Sequence, residues 1–192
     1  MRATVRVLAA AAVLATIGAT ALAAAATPSP QQIYQRLLTT PISDSALPSG
    51  FSGAKTDVLH LSSTFKKHHH HAVGGVAIDL NYGNAEILYF VFPTRADAVA
   101  DWRDANLKKQ AKTTVSAPAD FPWPALIANM SVKTWSNVGT TATNGETEAA
   151  MTSKNVIVQA FTLSTHNTDS GDVVGSIRLA RYALKHLQAL RK

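Results

Sequence analysis

Two apolar runs, at 73–80 and 85–92, dominate the middle of the chain. In the first run, apolar residues alternate with small or polar ones, which is typical of a strand that buries one face. In the second run every position from Ile87 to Phe92 is apolar, as in a strand that is covered on both faces, or covered on one face and lining a cavity on the other. The polar segment 81–84 separates the two runs, so the pattern predicts a hairpin.

A helix is predicted directly after this hairpin. Pro93 cannot donate a hydrogen bond to a neighbouring strand, so it ends the second run. Thr94 and Asp97 have the spacing of a helix start in which side chains cap the backbone. Ala98 and Trp102 follow at helical spacing, so we expect this helix to pack on the sheet through the side that carries Trp102.

Further strands are predicted at 56–62, 130–138, 146–152 and 156–164. The dipeptide at 144–145, Asn-Gly, favours a hairpin turn, and the proline-rich segment 113–125 favours a loop. A short helix is expected at 31–38. From about residue 171, apolar residues recur at spacings of three and four, which predicts a long closing helix. Its apolar stripe consists of Val173, Ile177, Ala180, Leu184 and Leu187.

From residue 73 onward, the elements follow the order β-β-α-β-β-β-α. This order predicts an α+β fold in which an antiparallel sheet of about five strands carries two helices packed on one face. It is compatible with ferredoxin-like sandwiches, with the dimeric α+β barrels built from them, and with PsbP-like secreted domains. No residue motif in the chain is specific to any of these three classes.

The first 26 residues have the pattern of a secretory signal peptide. Arg2 and Arg6 precede an apolar, alanine-rich run that ends in small residues suited to cleavage. The alternative is a retained membrane anchor, because a run of about 20 residues is near the length needed to span a bilayer. We divide the chain into a signal peptide (1–26), a spacer with a short helix and an irregular connection (27–55), and a single α+β domain (56–192). The expected location is secreted or periplasmic, with no stable membrane span after cleavage.

Charge and cysteine content narrow the possible partners. The chain has no cysteine, which excludes a disulfide and a lipid-modified cysteine anchor. Removal of 1–26 takes away two arginines and no acid, so the mature chain has 16 basic and 12 acidic side chains. Export argues against nucleic acid as a partner. A mildly basic protein surface is compatible with an anionic surface or an anionic ligand as the partner.

A run of four histidines precedes the hairpin: His68, His69, His70 and His71. Imidazole is a common ligand of zinc, nickel and copper, so the run is a candidate for weak transition-metal binding. Structural metal sites use spaced ligands on rigid elements, and no such spacing accompanies the run. Lys66 and Lys67 would also repel a divalent cation.

No pattern in the chain supports a catalytic site or a resident cofactor. Cysteine and the G-x-S-x-G motif are absent, and the carboxylates are scattered without an evident acid-base pair. Aromatic residues give a better candidate for a site, since they could line a pocket between sheet and helices. The alternative is that they form the core. The candidates are Tyr89, Phe90, Trp102, Trp123, Trp135, Phe161 and Tyr182.

The leading hypothesis from the sequence is an exported, non-enzymatic α+β domain that binds a small apolar ligand or another envelope component. A homodimer formed through the sheet is one possible assembly. The first alternative is a cofactor-independent enzyme of the dimeric α+β barrel type that acts on an aromatic substrate. The second alternative is a weak metal binder that uses the histidine run.

Overall fold

The helices and strands follow the changes in hydrophobic period along the chain. A computed structural model describes residues 27–59, 71–104, 111–135, 141–164 and 172–192. The helices in these ranges are α1 (Pro30–Thr39), α2 (Arg95–Asp104) and α3 (Val173–Leu190). The strands are β1 (Lys55–Val58), β2 (Gly74–Leu80), β3 (Ala85–Val91), β4 (Thr113–Val115), β5 (Ala125–Trp135), β6 (Thr141–Ser153) and β7 (Val156–Leu163). They form one antiparallel sheet in the order β1-β2-β3-β7-β6-β5-β4.

The predicted central hairpin is confirmed, because β2 and β3 pair along their whole length. A single 3-10 turn at Asn81–Gly83 joins them. Asn81 and Gly83 have positive φ angles of 52° and 88°, a conformation that asparagine and glycine tolerate best. The Asn81 side chain accepts a hydrogen bond from the Ser52 amide and donates one to the Gly50 carbonyl, both at 2.9 Å. The turn is thereby fixed to the preceding irregular segment.

Strand β3 lies inside the sheet, and its C-terminal end is covered on both faces, whereas Glu86 and Leu88 nearer its start are half-buried. It pairs with β2 on one side and with β7 on the other. Tyr89 and its alternate neighbours Ile87 and Val91 are buried in the core that contains α1 and α3. Phe90 points to the opposite face and is buried in a smaller cluster with α2.

The larger core lies between the sheet and helices α1 and α3, on what we call the α3 face. Helix α3 contributes its predicted apolar stripe, and α1 contributes Ile33 and Leu37. Helix α3 starts at Asp172, whose side chain accepts a hydrogen bond from a first-turn amide at 2.8 Å. Arg36 of α1 donates a hydrogen bond to the Leu190 carbonyl at 2.6 Å, so the first helix is joined to the end of the last.

The smaller cluster lies on the opposite face, which we call the α2 face. Ala98 and Trp102 of α2 pack there with Phe90, Phe92 and Ile157. The prediction that two helices pack on one face is therefore wrong for the helix that follows β3. The phenylalanines that project from the end of β3 provide an apolar surface on this side, and the short helix packs on that surface rather than under the sheet with α3.

The strand count and two turns also differ from the sequence-based prediction. The sheet has seven strands rather than about five. Strand β4 lies in the proline-rich segment that was expected to be a loop, and its three residues are all exposed, so burial gave no periodic signal. The Asn-Gly dipeptide at 144–145 lies within β6, where Gly145 pairs with Ser131. Its predicted hairpin turn is wrong, because pairing along the long β5 and β6 strands outweighs the local turn preference.

Candidate functional site

The aromatic residues predicted to line a pocket lie in several separate places. Tyr89 and Tyr182 lie on the α3 face, whereas Phe90 and Trp102 lie on the α2 face. Trp123 is 70 % exposed in the loop before β5. Trp135 ends β5, and its side chain is outside the described part of the chain. A pocket lined by all of these residues would have to cross the sheet, so any ligand site can use only a subset of them.

On the α3 face, two of the predicted tyrosines surround His186. Its ring is stacked on Tyr182 with centroids 6.1 Å apart, and the Tyr89 ring is 6.4 Å away. The Tyr89 hydroxyl is fully buried and donates a hydrogen bond to the Ala183 carbonyl at 3.0 Å. Burial raises the pKa of Tyr89 and lowers that of His186, which keeps both side chains neutral. His186 is half-buried.

On the α2 face, one line of directly opposed residues crosses all seven strands, and four of its seven members are charged. We call this line the acidic row. Each member is directly opposite the next on the neighbouring strand, and alternate residues of a strand share one face. In strand order the row consists of Lys55, Asp79, Glu86, Phe161, Glu148, Ala128 and Thr114. Phe161, one of the predicted site residues, therefore lies between two glutamates.

Glu148 is the most unusual member of the acidic row. Its side chain is 1 % exposed. Among the described residues, its Oε1 atom has no hydrogen-bond partner. A buried carboxylate without a partner is unfavourable, and the usual outcome is protonation. Burial, reinforced by the nearby charge of Glu146, raises the pKa of Glu148 from 4.5 to about 8.

Two further glutamates near Phe161 are affected in the same direction. Burial, together with the charges of Asp79 and Glu146, raises the pKa of Glu86 from 4.5 to about 7. Burial also raises the pKa of Glu146, which lies two residues from Glu148 on β6. At neutral pH this part of the sheet therefore holds carboxyl groups that are partly protonated. They can donate a hydrogen bond, or they can accept one and become ionised next to a cationic group.

Apolar side chains continue from the acidic row toward α2. Leu88 is opposite Gln159, and Ala150 follows on β6, in the next line of the same face. Beyond this line, Phe90 and Trp102 form the cluster under α2. The α2 face thus combines an apolar stretch with a buried, unpaired carboxyl group. This combination suits a ligand that has an apolar body and one basic or hydrogen-bond-donating group.

The carboxylates of this site are not visible as a group in the sequence. Asp79 and Glu86 lie on one hairpin, whereas Glu146 and Glu148 lie much later in the chain on β6, so the sequence shows only scattered carboxylates. The available signal is that acidic residues occur within otherwise apolar strands. Only the pairing of β3 with β7, and of β7 with β6, brings them around one phenylalanine.

Two predicted features lie outside the described residues: the signal peptide at 1–26 and three histidines of the run (His68, His69 and His70). His71, the last histidine of the run, is exposed. In the described ranges, no group of three or more His, Cys, Asp or Glu side chains is arranged to hold a metal ion. None of the helices in these ranges is both long enough and apolar enough to cross a membrane.

Comparison with known proteins gives little further information. No protein-family model matches the chain, and no curated protein is detectably similar to it. Among solved structures, the chain is similar to the extracellular domain of PknH from Mycobacterium tuberculosis, with 12 % sequence identity and a TM-score of 0.42. The similarity covers 78 % of this chain and 97 % of that chain. A similarity of this size does not establish a shared function.

Proposed function

We propose that this protein is an exported, non-enzymatic α+β domain that binds a small ligand on the α2 face of its sheet. The ligand has an apolar body and an amine or another hydrogen-bond donor. The apolar body contacts Phe161 and the side chains between it and α2, and the donor group binds Glu148. The observation that carries the proposal is the buried Glu148 Oε1 atom, which has no hydrogen-bond partner among the described residues.

Ligand binding would be favourable because it gives the buried Glu148 carboxyl group a hydrogen-bond partner that it lacks among the described residues. An unsatisfied buried polar group costs about 1–3 kcal/mol, and a ligand donor that reaches it recovers part of this cost. An amine would do more, because it would stabilise the ionised form that burial disfavours. The secretory signal pattern at 1–26 supports the exported location, and the predicted ligand-binding role of Phe90, Trp102 and Phe161 is retained on this face.

The proposal can be tested with three probes of similar shape: phenylbutylamine, phenylbutanol and phenylbutyrate. Isothermal titration calorimetry at pH 7 should show the highest affinity for the amine, a lower affinity for the alcohol and the lowest for the carboxylate. The carboxylate binds most weakly because it adds a negative charge to the acidic row. Glu148→Gln should remove most of the preference for the amine, a change of about tenfold or more. Phe161→Ala should weaken binding of the amine and the alcohol alike, because both use the apolar contact.

Asp120→Asn is the matched control, since Asp120 is an exposed carboxylate paired with Arg181 outside this site. It should leave all three affinities unchanged. Equal affinity for the amine and the carboxylate would contradict the proposal, as would an amine affinity that Glu148→Gln does not change. Failure of all three probes to bind would also contradict it.

The raised pKa values give specific support to a second candidate function. Carboxyl groups with a pKa near 7 or 8 suit general acid-base catalysis, so Glu86 and Glu148 favour the alternative of a cofactor-independent enzyme acting on an aromatic substrate. The two candidates differ in what happens to a bound molecule. An enzyme would convert an aromatic ester or ketone at a rate that depends on Glu148, whereas a binding domain would return it unchanged.

A further inference from the structure

The outer surface of α3 carries a continuous line of exposed residues, most of them basic. Val174, Arg178, Arg181, Lys185 and Gln188 are all exposed. With about 100° between successive residues of a helix, they lie within roughly 80° of its circumference and extend over about 21 Å. We call this line the α3 stripe. The sequence from 173 to 192 contains no acidic residue, so the helix itself provides no compensating charge.

A loop with an exposed tryptophan lies directly beside the α3 stripe. Arg181 donates two hydrogen bonds to the Asp120 carboxylate, from Nε at 2.8 Å and from Nη2 at 3.0 Å. Its guanidinium also lies 5.8 Å from the centroid of the Phe121 ring. Trp123 follows two residues later, so its Cα lies no more than about 7 Å from that of Phe121. The Pro124 carbonyl accepts a hydrogen bond from the Thr152 amide at 3.0 Å, which fixes the other end of the loop.

The loop presents its tryptophan in an unusual way. Trp123 is 70 % exposed, although indole is among the largest apolar groups in proteins. At the start of the stripe, Val174 is 65 % exposed. Both are held by ordered elements, since one lies on a hydrogen-bonded loop and the other on the first turn of a capped helix. An exposed apolar group on each side of a basic line is the arrangement of a surface that lies on a membrane interface.

The distribution of charge favours the same partner. The described acidic residues nearest to the stripe are Asp120, which is neutralised by Arg181, and Asp172, which caps α3. Asp79, Glu86, Glu146 and Glu148 lie on the opposite face of the sheet. The basic residues of the stripe and these four carboxylates therefore lie on opposite faces of the sheet, and Trp123 lies on the side of the stripe.

We propose that the α3 stripe and Trp123 form a docking surface for a bilayer that contains anionic lipids. Arg178 and Lys185 bind the headgroup phosphates, with Lys192 just beyond the end of the helix, and the Trp123 indole inserts at the level of the headgroups. This arrangement needs no pocket, because lipid headgroups present a flat field of negative charge. Each basic residue near such a surface adds roughly fivefold to the affinity at moderate salt.

The experiment uses residues 27–192, which contain every described element and lack the apolar segment that could itself insert into lipid. Binding is measured by co-sedimentation with vesicles of phosphatidylcholine alone and of phosphatidylcholine with phosphatidylglycerol. We expect binding to the anionic vesicles only, with a steep loss of affinity as salt is raised. The triple variant Arg178→Gln, Lys185→Gln and Lys192→Gln should bind roughly 100-fold more weakly. It leaves the pair between Arg181 and Asp120 intact.

Two further variants separate this surface from a general effect of net charge. A control triple variant with Lys55→Gln, Arg95→Gln and Lys112→Gln removes the same charge from exposed positions outside α3, and it should retain most of the affinity. Trp123→Ala should weaken binding without changing its salt dependence. The proposal is overturned if the anionic vesicles do not bind the protein, or if both triple variants lose affinity equally. Equal binding to the neutral vesicles would overturn it as well.

Discussion

Replacement of Glu148 with glutamine should change how the stability of the protein depends on pH. Glutamine has nearly the shape of the protonated glutamic acid but cannot ionise. In the folded protein, burial and the charge of Glu146 raise the pKa of Glu148 from 4.5 to about 8. In the unfolded chain the group returns to its ordinary value. Between these two pH values the folded protein therefore holds a proton that the unfolded chain has released.

The sign of the effect follows from this difference in bound protons. Since the unfolded chain binds fewer protons, the free energy of unfolding falls as pH rises. The contribution of Glu148 is complete below pH 4.5 and is lost by about pH 8. Each pKa unit corresponds to about 1.4 kcal/mol, so the full loss is about 5 kcal/mol. Glu148→Gln should thus match the parent protein near pH 4.5 and exceed it by up to about 5 kcal/mol near pH 9.

Urea denaturation of both proteins at pH 5, 7 and 9, followed by circular dichroism, measures this difference directly. Other titrating groups are common to both proteins and largely cancel in the comparison. Asp57→Asn is the control, because Asp57 is an exposed acid of the same sheet that lies outside the acidic row. Its curve should stay close to that of the parent. The reasoning would be refuted by a variant no more stable than the parent at pH 9, or by a difference that does not grow with pH.

Three other predictions concern the α3 face and its helices. Tyr89→Phe removes the buried hydrogen bond to the Ala183 carbonyl and should lower the free energy of unfolding by about 1 kcal/mol, measured by urea denaturation. In Gly74→Ala the new methyl group would overlap the Tyr34 ring, so thermal denaturation should show that the free energy of unfolding falls by about 1–3 kcal/mol. The double variant with Tyr34→Ala should recover part of this loss, because the ring is then absent. Asp172→Ala removes the cap of α3 and should cost about 1 kcal/mol in the same assay, whereas Asp172→Asn should be nearly neutral.

Those parts of the fold that depend on a strong local period could be predicted from the sequence. Helix α3 and the β2–β3 hairpin were identified because burial of one face imposes a regular spacing on their apolar residues. Strand β4 could not be identified, since three exposed residues at the edge of a sheet carry no such spacing. The turn predicted at the Asn-Gly pair 144–145 is wrong, because the pairing of two long strands outweighs the local turn preference of a few residues.

The candidate site was only partly accessible to sequence reasoning. Phe161 was singled out as an aromatic residue in an apolar strand. Its neighbours Glu86 and Glu148 became significant only with the order of the strands, because β3 and β6 are separated by β7 in the sheet but by the 49 residues from 92 to 140 in the chain. Which face α2 covers was equally inaccessible, since a helix that follows a strand can cross to either side.

The hydrogen bond between Arg36 and the Leu190 carbonyl has a consequence for how the chain folds. It joins residues 154 positions apart, and the same core needs both α1 and α3. Contacts of such long sequence separation form late and slow the folding of a domain. A chain that crosses a membrane as an extended thread must remain unfolded until it has passed. If the chain is exported as proposed, the first helix cannot complete its packing until the last has crossed as well, so the topology itself delays folding until the whole chain has reached one compartment.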